Sequence, residues 1–285
     1  MTVELYDRQE TDAAFGALRT IAGALPEPFI LLGGWAVYLT AIESYRKEHG
    51  AACLGSRDVD IGFHIDPGLS GKALRRSAFS KAIDAIRKEG YVPIGAFRYC
   101  KFVRKETGEV LTEEESKRIP MHDLFYLYID LMVDRIHPEH SEVFGGKPMD
   151  EPALARVFDE GCGVTVELEG AKITIPPPHL LLASKLRSLP ARQKDDKTVK
   201  DACDIYAILW HSQVEYGRVL RAVRKDFPRE CEAALAAITE DVARSAARHL
   251  GIDADAYLGV VNGLAGRTGS STPPATTPAR TGAGP

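Results

Sequence analysis

The chain has 285 residues, of which 45% are hydrophobic and 27% are charged, and its formal net charge is −4. These values are ordinary for a globular protein of one or two domains, and they give no overall basic field of the kind that nucleic-acid binding uses. The acidic N-terminal segment lacks the chemistry of a secretion signal and no apolar run reaches the length of a membrane span, so we expect a cytoplasmic protein outside membranes.

The N-terminal half predicts helices that alternate with strands. A short apolar run over 29–32 stops at a glycine pair, as a buried strand that enters a tight turn does. Residues 58–65 alternate strictly and place Asp58 and Asp60 on one strand face. The other predicted elements are helices over 9–24, 35–48 and 71–89, strands over 92–104 and 124–133, and a hairpin made by 164–168 and 172–175.

From residue 177 onward the periodicity is helical, and the predicted helices cover 179–188, 198–212, 215–225 and 229–250. Residues 266–285 contain no large apolar side chain, so this tail is predicted to be disordered. The sequence predicts an α/β (α+β) fold with a mixed sheet flanked by helices and a C-terminal helical portion. Its predicted units are a core over 1–135, a connecting segment with a hairpin over 136–176, a helical domain over 177–265, and the tail.

Three aspartates suit a metal centre. Asp58 and Asp60 project from one strand face, where like charges repel unless a cation such as Mg²⁺ or Mn²⁺ lies between them. Asp130 interrupts an apolar strand, and if that strand is a neighbour, the three carboxylates suit a two-metal site that activates an attacking oxygen and stabilises a leaving group. Several alternatives stay open. In the first, Asp58 and Asp60 are solvated residues and Arg57 pairs with one of them. In the second, Asp134 is the third carboxylate, and in the third, Asp130 pairs with a basic side chain.

Gly33 and Gly34 separate the predicted strand from the helix that follows. Bare backbone N–H groups at a helix N-terminus attract phosphate, and glycine allows a ligand to approach the backbone closely. Taken alone, an ordinary tight turn explains the pair better. The order of turn, helix, acidic strand and later strand with a third aspartate favours a phosphate site.

The segments LLGGWAVYL (31–39) and GSRDVDI (55–61) resemble the signature of the polymerase-β-type nucleotidyltransferase superfamily. The resemblance implies a nucleotidyltransferase core in which Asp58, Asp60 and Asp130 bind Mg²⁺ or Mn²⁺ and carry the catalysis. The residues that it implies for binding the NTP substrate in this part of the chain are Gly33, Gly34, Ser56 and Arg57. The interval between turn and acidic strand is longer here than is typical, and the turn is Gly-Gly rather than Gly-Ser.

The helical half is similar to AbiEii-like nucleotidyltransferases, the toxins of some bacterial toxin–antitoxin and abortive-infection systems, at LLLASKLR (180–187), Lys194 and KDACDIY (200–206). The residues that this resemblance implies are Lys185 and Arg187 for the triphosphate, and Asp201 or Asp204 for catalysis or positioning. Residues 185–200 also carry a local excess of basic side chains, which fits a triphosphate or an RNA backbone as well as a solvated loop.

Three functions follow from these patterns. The first is a metal-dependent enzyme that transfers an NMP from NTP to RNA, such as a tRNA end, or to a protein, as a toxin with a cognate antitoxin. The second is a small-molecule nucleotidyltransferase of the aminoglycoside-modifying kind. The third is a catalytically idle relative that binds nucleotide or a partner. The three carboxylates and Lys185 favour an active enzyme, because an idle copy has no physical reason to keep paired, repelling aspartates.

Other candidates lie near the predicted strand over 124–133. His137 and His140 follow its end and are predicted to form an exposed turn rather than a metal site. Tyr126 and Tyr128 share a strand face with the third aspartate, and they either stack on a base or pack within the sheet.

Overall fold

The computed structural model describes residues 5–146, 148–168 and 170–266, so all of the predicted disordered tail except its first residue lies outside the described residues. Within the described ranges, nine strands form a single sheet. The strands are β1 (Ile30–Leu31), β2 (Asp58–Phe63), β3 (Val92–Pro93), β4 (Arg98–Arg104), β5 (Val110–Leu111), β6 (Leu124–Val133), β7 (Met149–Asp150), β8 (Val164–Leu168) and β9 (Ala171–Ile175).

The sheet mixes parallel and antiparallel pairs in the order β3-β4-β6-β2-β1-β9-β8, with β5 beside β4 and β7 beside β6. β2 and β6 are parallel neighbours, and their register places Asp60 opposite Asp130. On the other side of β6, the antiparallel β4 places Arg98 opposite Asp130. Because residues directly opposite each other point to the same side of a sheet, these side chains share one face.

Helices cover both faces of the sheet and continue into a helical C-terminal portion. The helices are α1 (Arg8–Ala24), α2 (Gly33–His49), α3 (Gly71–Leu74), α4 (Ala78–Lys88), α5 (Glu113–Ser116), α6 (His140–Phe144), α7 (Pro152–Glu160), α8 (Pro178–Ser188), α9 (Asp195–His211), α10 (Tyr216–Asp226), α11 (Pro228–Ala237), α12 (Glu240–Leu250) and α13 (Ala254–Val261). Phe63 of β2 packs against Phe79 of α4, whereas Leu154 of α7 lies against Gly62 on the opposite face. The predicted fold class, a mixed sheet flanked by helices with a helical C-terminal portion, is confirmed.

Two buried helices join the helical portion to the sheet portion. α8 and α9 both contact α2, and α9 is buried over almost all of its second half. The apolar run Leu180–Ala183 of α8 has no solvent exposure. Since α2 begins where β1 ends, the packing brings polar residues of α8 and α9 to the part of the sheet that holds Asp60.

Some predicted boundaries are wrong because capping residues divide the helices. The helix predicted over 71–89 is two helices, since the Ser77 hydroxyl accepts a hydrogen bond from Ser80 N at 3.3 Å and starts α4. In the same way Thr239 caps α12, which divides the helix predicted over 229–250. The strand predicted over 92–104 is interrupted between β3 and β4, and α13 was not predicted.

The predicted hairpin is confirmed as β8 and β9, and it belongs to the sheet because β9 pairs in parallel with β1. The division of the chain into units at 135 and 176 stays a prediction. Among the described residues, no helix has the length and apolar character needed to cross a membrane.

Candidate active site

Three carboxylates line one cleft of about 330 Å³ beside the β2–β6 pair. Asp58 and Asp60 are two residues apart on β2 and so point to the same face, and Asp130 lies opposite Asp60. The Asp130 side chain is 4% exposed, whereas that of Asp58 is 21% exposed at the cleft mouth. The two strands are neighbours, as a three-carboxylate arrangement requires. We refer to this site as the carboxylate cleft.

Two of the three carboxylates already have cationic or hydroxyl partners. Arg98 donates from Nε to Asp130 Oδ1 at 2.7 Å and from Nη2 to Asp130 Oδ2 at 2.5 Å. The same Nη2 lies 3.4 Å from Asp58 Oδ2, and Lys197 Nζ lies 3.9 Å from that oxygen. The Ser56 hydroxyl donates to Asp58 Oδ1 at 3.2 Å. Burial raises the pKa of Asp130, although Arg98 opposes that rise.

Asp60 is the carboxylate that lacks such a partner. Within the described part of the chain, its carboxylate accepts no hydrogen bond and forms no ion pair within 4 Å. Burial, followed by the charges of Asp58 and Asp130, raises the pKa of Asp60 to about 7. A buried carboxylate that lies beside two other carboxylates and has no cationic partner favours the binding of a cation.

The glycine turn lies directly against Asp60. Gly33 has φ +61°, and a Cβ at this position would lie 1.7 Å from Asp60 Oδ2, so only glycine fits without moving the carboxylate. At Gly34 a Cβ would lie 2.8 Å from Ser56 Cβ and 3.5 Å from Lys200 Nζ. α2 begins at Gly33 and has no side-chain cap, so its first N–H groups form an anion-binding end at the cleft.

The helical portion adds a buried network of ions to the opposite wall. Lys185 Nζ lies 3.0 Å from Asp201 Oδ1 and 2.8 Å from Asp204 Oδ2. Asp204 Oδ1 also contacts Lys200 Nζ at 2.5 Å, and Asp201 Oδ2 contacts Arg192 Nε at 2.5 Å. Burial alone would raise the pKa of Asp201, but Lys185 and Arg192 hold it well below its usual range. Burial opposes the charge of Lys185, yet Asp201 and Asp204 raise its pKa above the ordinary value.

The charges that line the cleft do not balance. Seven acidic side chains line it against five basic ones, and one of the acids, Glu151, pairs with Arg187 outside the lining. The acidic residues are Asp58, Asp60, Asp130, Asp150, Glu151, Asp201 and Asp204, and the basic residues are Arg98, Lys185, Arg192, Lys197 and Lys200. A triphosphate would add further negative charge, so its binding favours divalent cations beside the carboxylates.

Most of the residues that the sequence singled out meet in the cleft. Those that line it are Gly33, Gly34, Ser56, Asp58, Asp60, Asp130, Lys185, Asp201 and Asp204. Arg187 does not, since its Nη1 donates to Glu151 Oε1 at 2.7 Å. Arg57 lies outside as well, over the Tyr6 ring at 4.4 Å and 3.6 Å from carboxylates of Glu10 and Asp196. The rival third carboxylate, Asp134, is not part of the cleft lining.

Sequence reasoning missed Arg98 and Tyr6 of the lining, and it singled out three other basic residues only as members of a longer run. Lys197, Lys200 and Arg192 belong to the basic run over 185–200, but nothing in their spacing separates those that face the cleft from those that face solvent. Arg98 requires knowledge of the β4–β6 register. Tyr6, which precedes α1, follows no pattern that marks it.

A second recess of about 420 Å³ adjoins the cleft and shares Tyr6, Asp58, Arg98 and Lys197 with it. We call it the aromatic recess, because Tyr126 and Tyr128 line it with stacked rings whose centroids are 6.3 Å apart. The Arg98 guanidinium lies 4.9 Å from the Tyr128 ring centroid. Base stacking on these tyrosines stays a prediction, and the recess gives it a physical place.

The predicted exposed turn at the histidines is wrong. His137 is 3% exposed and His140 is 2% exposed. His137 Nε2 donates to the Leu69 carbonyl at 2.8 Å, and His140 packs against the rings of Phe79 and Phe144. The apolar packing of α6 against α4 removes the His140 imidazole from solvent, and neither histidine lines the carboxylate cleft.

Comparisons with known proteins give a distant likeness in structure. No protein-family model matches the chain, and no curated protein sequence matches it. Among solved structures, the chain is similar to an antigenic nucleotidyltransferase-like protein from Paracoccidioides brasiliensis, with 15% identity and a TM-score of 0.38. The likeness covers 81% of this chain and 93% of that chain. Identity and TM-score at this level identify no family for the chain.

Proposed function

We propose that the protein is a metal-dependent nucleotidyltransferase that transfers an NMP from NTP to an acceptor hydroxyl. The observation that carries the proposal is the contact between the glycine turn and the acidic strand. The uncapped N-terminus of α2 begins at Gly33, whose Cβ position would lie 1.7 Å from Asp60 Oδ2. An anion-binding helix end and a carboxylate without a cationic partner therefore face the same volume, as a metal-bound triphosphate requires.

The carboxylates fit Mg²⁺ or Mn²⁺, because both ions prefer oxygen ligands and Asp60 has no partner among the described residues. Asp58 and Asp60 would hold a metal ion. Asp130 would join them through the lone pairs that its bonds to Arg98 leave available. When bound, the ions would supply neutralising charge for the phosphates and for the attacking and leaving oxygens.

In the proposed reaction the acceptor oxygen attacks the α-phosphorus of the NTP. The bond from that phosphorus to the β-phosphate oxygen breaks, pyrophosphate leaves with the bonding electron pair, and the hydroxyl proton passes to a carboxylate of the cleft. The N–H groups at the start of α2 would bind phosphate oxygens, and Lys185 and Lys200 would offset their charge. Asp201 and Asp204 would act as positioning residues, because both hold Lys185 by ion pairs within 3.0 Å.

For the acceptor we propose RNA, such as a tRNA end, and with it the toxin role of AbiEii-like proteins. The aromatic recess supports this choice, since two stacked tyrosines beside Arg98, Lys194 and Lys197 suit a stacked base and its phosphates. A protein or a small hydroxyl compound is the alternative acceptor. A catalytically idle relative is disfavoured, because a protein without metal chemistry would have no use for an Asp60 carboxylate that is unpaired among the described residues.

Label transfer tests the proposal. The purified protein is incubated with Mg²⁺ and each NTP in turn, radiolabelled at the α-phosphate, together with total RNA or with a panel of small hydroxyl compounds. Label in RNA is expected with the wild type and with Asp241→Asn, which changes a carboxylate that is 90% exposed on α12, but not with Asp60→Asn. Label on the protein or on small hydroxyl compounds alone would exclude RNA and keep the enzyme class. No transfer to any acceptor, together with no Mg²⁺-dependent NTP binding, would exclude the enzyme.

A further inference from the structure

A second group of metal-ligand side chains lies at the far end of α2 and α9. Glu48, His49 and His211 each offer one ligand atom, and these atoms all lie within 4.8 Å of one another. His49 Nε2 is 3.8 Å from Glu48 Oε1, and His211 Nδ1 is 4.0 Å from Glu48 Oε2. Ligands at about 2.1 Å from one tetrahedral ion lie about 3.4 Å apart, so small side-chain rotations would complete such a site.

The two imidazoles have nitrogens with unused hydrogen-bonding capacity. His211 is fully buried, and its Nε2 has no hydrogen-bond partner among the described residues. Nε2 of His49 is also buried, and it is likewise unpartnered within the described ranges. A buried nitrogen without a partner is unfavourable, so a cation bound through either Nε2 atom would remove that penalty.

The surrounding residues hold the three side chains in place. Trp210 Nε1 donates to Glu48 Oε2 at 3.2 Å, and the Ser44 hydroxyl lies 3.3 Å from His211 Nδ1. The Tyr45 ring covers both imidazoles, with centroids 4.3 Å from His49 and 4.9 Å from His211. Partners of this kind orient the ligands of protein metal sites.

The backbone adds to the attraction for a cation. His49 is the last residue of α2 and His211 is the last residue of α9, so two helix C-termini meet at the group. Each C-terminus carries about half a negative charge. The group lies about 24 Å along α2 from Gly33, and on α9 it lies about 10 Å beyond Asp204, the last residue of that helix that lines the carboxylate cleft.

We propose that Glu48, His49 and His211 bind one Zn²⁺-type ion that fastens the C-terminal end of α2 to that of α9. Two imidazoles and one carboxylate suit Zn²⁺ and related transition metals, whereas Mg²⁺ prefers a set of oxygens. The ion would join a helix of the sheet portion to a helix of the helical portion and stabilise their packing by mass action. The proposal is independent of the nucleotidyltransferase proposal.

Zn²⁺ titration of the full chain tests the site. The Asp60→Asn background and millimolar Mg²⁺ together weaken Zn²⁺ binding at the carboxylate cleft, and calorimetry and thermal unfolding are the two readouts. In this background we expect one Zn²⁺ per chain and a rise in Tm. Glu48→Gln and His49→Gln, which change partly exposed side chains, should each weaken Zn²⁺ binding at least about 100-fold and abolish the Tm rise.

The matched control is His122→Gln, because His122 is 82% exposed and far from the group in sequence. This variant should bind Zn²⁺ as tightly as the parent. Circular dichroism before the titration would show that each variant is folded. The proposal is overturned if the parent binds no Zn²⁺, or if Glu48→Gln and His49→Gln both bind it with unchanged stoichiometry and affinity.

Discussion

Arg98 and Asp130 lie opposite each other on antiparallel strands, and the guanidinium reaches both carboxylate oxygens. The pair neutralises a carboxylate that is only 4% exposed. The bond to Asp130 and the charges of Asp130 and Asp58 hold the pKa of Arg98 above its ordinary value, although burial opposes this. As a result, Asp130 has a partner within the fold and Asp60, its neighbour on the other side, does not.

Replacement of Arg98 should therefore destabilise the fold. Arg98→Gln leaves Asp130 buried without its cation, and we expect a loss of about 3 kcal/mol in the free energy of unfolding, measured with urea. Arg98→Lys should lose less, because it keeps the charge but not the two-point geometry. Arg104→Gln is the control on the same strand, since its ion pair with Glu109 is exposed and should contribute less than about 1 kcal/mol. Equal stability of Arg98→Gln and wild type would contradict the assigned role of the pair.

Asp60→Asn should stabilise the metal-free protein at high pH. The pKa of Asp60 is about 7 in the fold and 3.8 in the unfolded chain, so the unfolded chain loses this proton first as pH rises. The cost to folding therefore grows between pH 4 and pH 7 and is complete above pH 7. In the presence of a chelator, the free energy of unfolding of the variant should exceed that of the wild type by about 4 kcal/mol at pH 8 and match it at pH 4.

Mg²⁺ gives a second readout for the same variant. It should raise the Tm of the wild type at pH 8, because the ion offsets the repulsion among the carboxylates, and it should leave Asp60→Asn unchanged. A similar rise in both proteins would show that Asp60 is not a ligand.

Gly33→Ala should abolish nucleotide transfer and lower stability. Gly33 has φ +61°, and a Cβ at this position would lie 1.7 Å from Asp60 Oδ2. The new methyl group must therefore displace that carboxylate. Gly50→Ala is the matched control, because Gly50 has φ +67° and open space around its Cβ site. It should cost only about 1 kcal/mol for the left-handed backbone and leave transfer intact. Equal effects of the two variants on transfer and Tm would refute a special role for Gly33.

The sequence predicted the local features of the cleft better than the contacts between residues that are far apart in the chain. Strict alternation placed Asp58 and Asp60 on one face, and the glycine pair marked the start of α2, because both signals lie within a few residues. The Arg98–Asp130 pair depends on strand order and register, which the hydrophobic pattern alone does not specify. The buried histidines were missed for the same reason, since the aromatic rings that cover His140 come from two separate helices.

Asp201 should contribute more to stability than Asp204. Asp201 accepts bonds from Lys185, Ser188 and Arg192, whereas Asp204 has ion pairs only with two lysines among the described residues. We expect Asp201→Asn to lose about 3 kcal/mol at pH 7. The folded pKa of Asp201 lies below the unfolded value of 3.8, so its contribution is present above pH 4 and is lost as pH falls below it. Urea unfolding of both variants at pH 7 and pH 3 measures the loss of stability and its pH dependence. A larger loss in Asp204→Asn than in Asp201→Asn would show that Asp204 contributes more to stability.

Two buried histidines should make the protein less stable below pH 6.5. Burial, with a smaller effect of His137, lowers the pKa of His140 to about 4, and burial together with His49 lowers that of His211 to about 4. Between the unfolded value of 6.5 and pH 4, the unfolded chain takes up protons that the folded chain does not, so stability falls over this range. Each histidine should cost about 2 kcal/mol between pH 6.5 and pH 5.

His140→Leu separates the contribution of His140 from that of His211, because it removes the titrating group and keeps an apolar side chain against Phe79 and Phe144. Measured by urea unfolding in the presence of a chelator, the variant should show about half of the wild-type loss between pH 6.5 and pH 5. His122→Leu, at an exposed position, should keep the full loss. An unchanged pH dependence in His140→Leu would mean that His140 takes up a proton in the folded protein as readily as in the unfolded chain, which its burial between aromatic rings argues against.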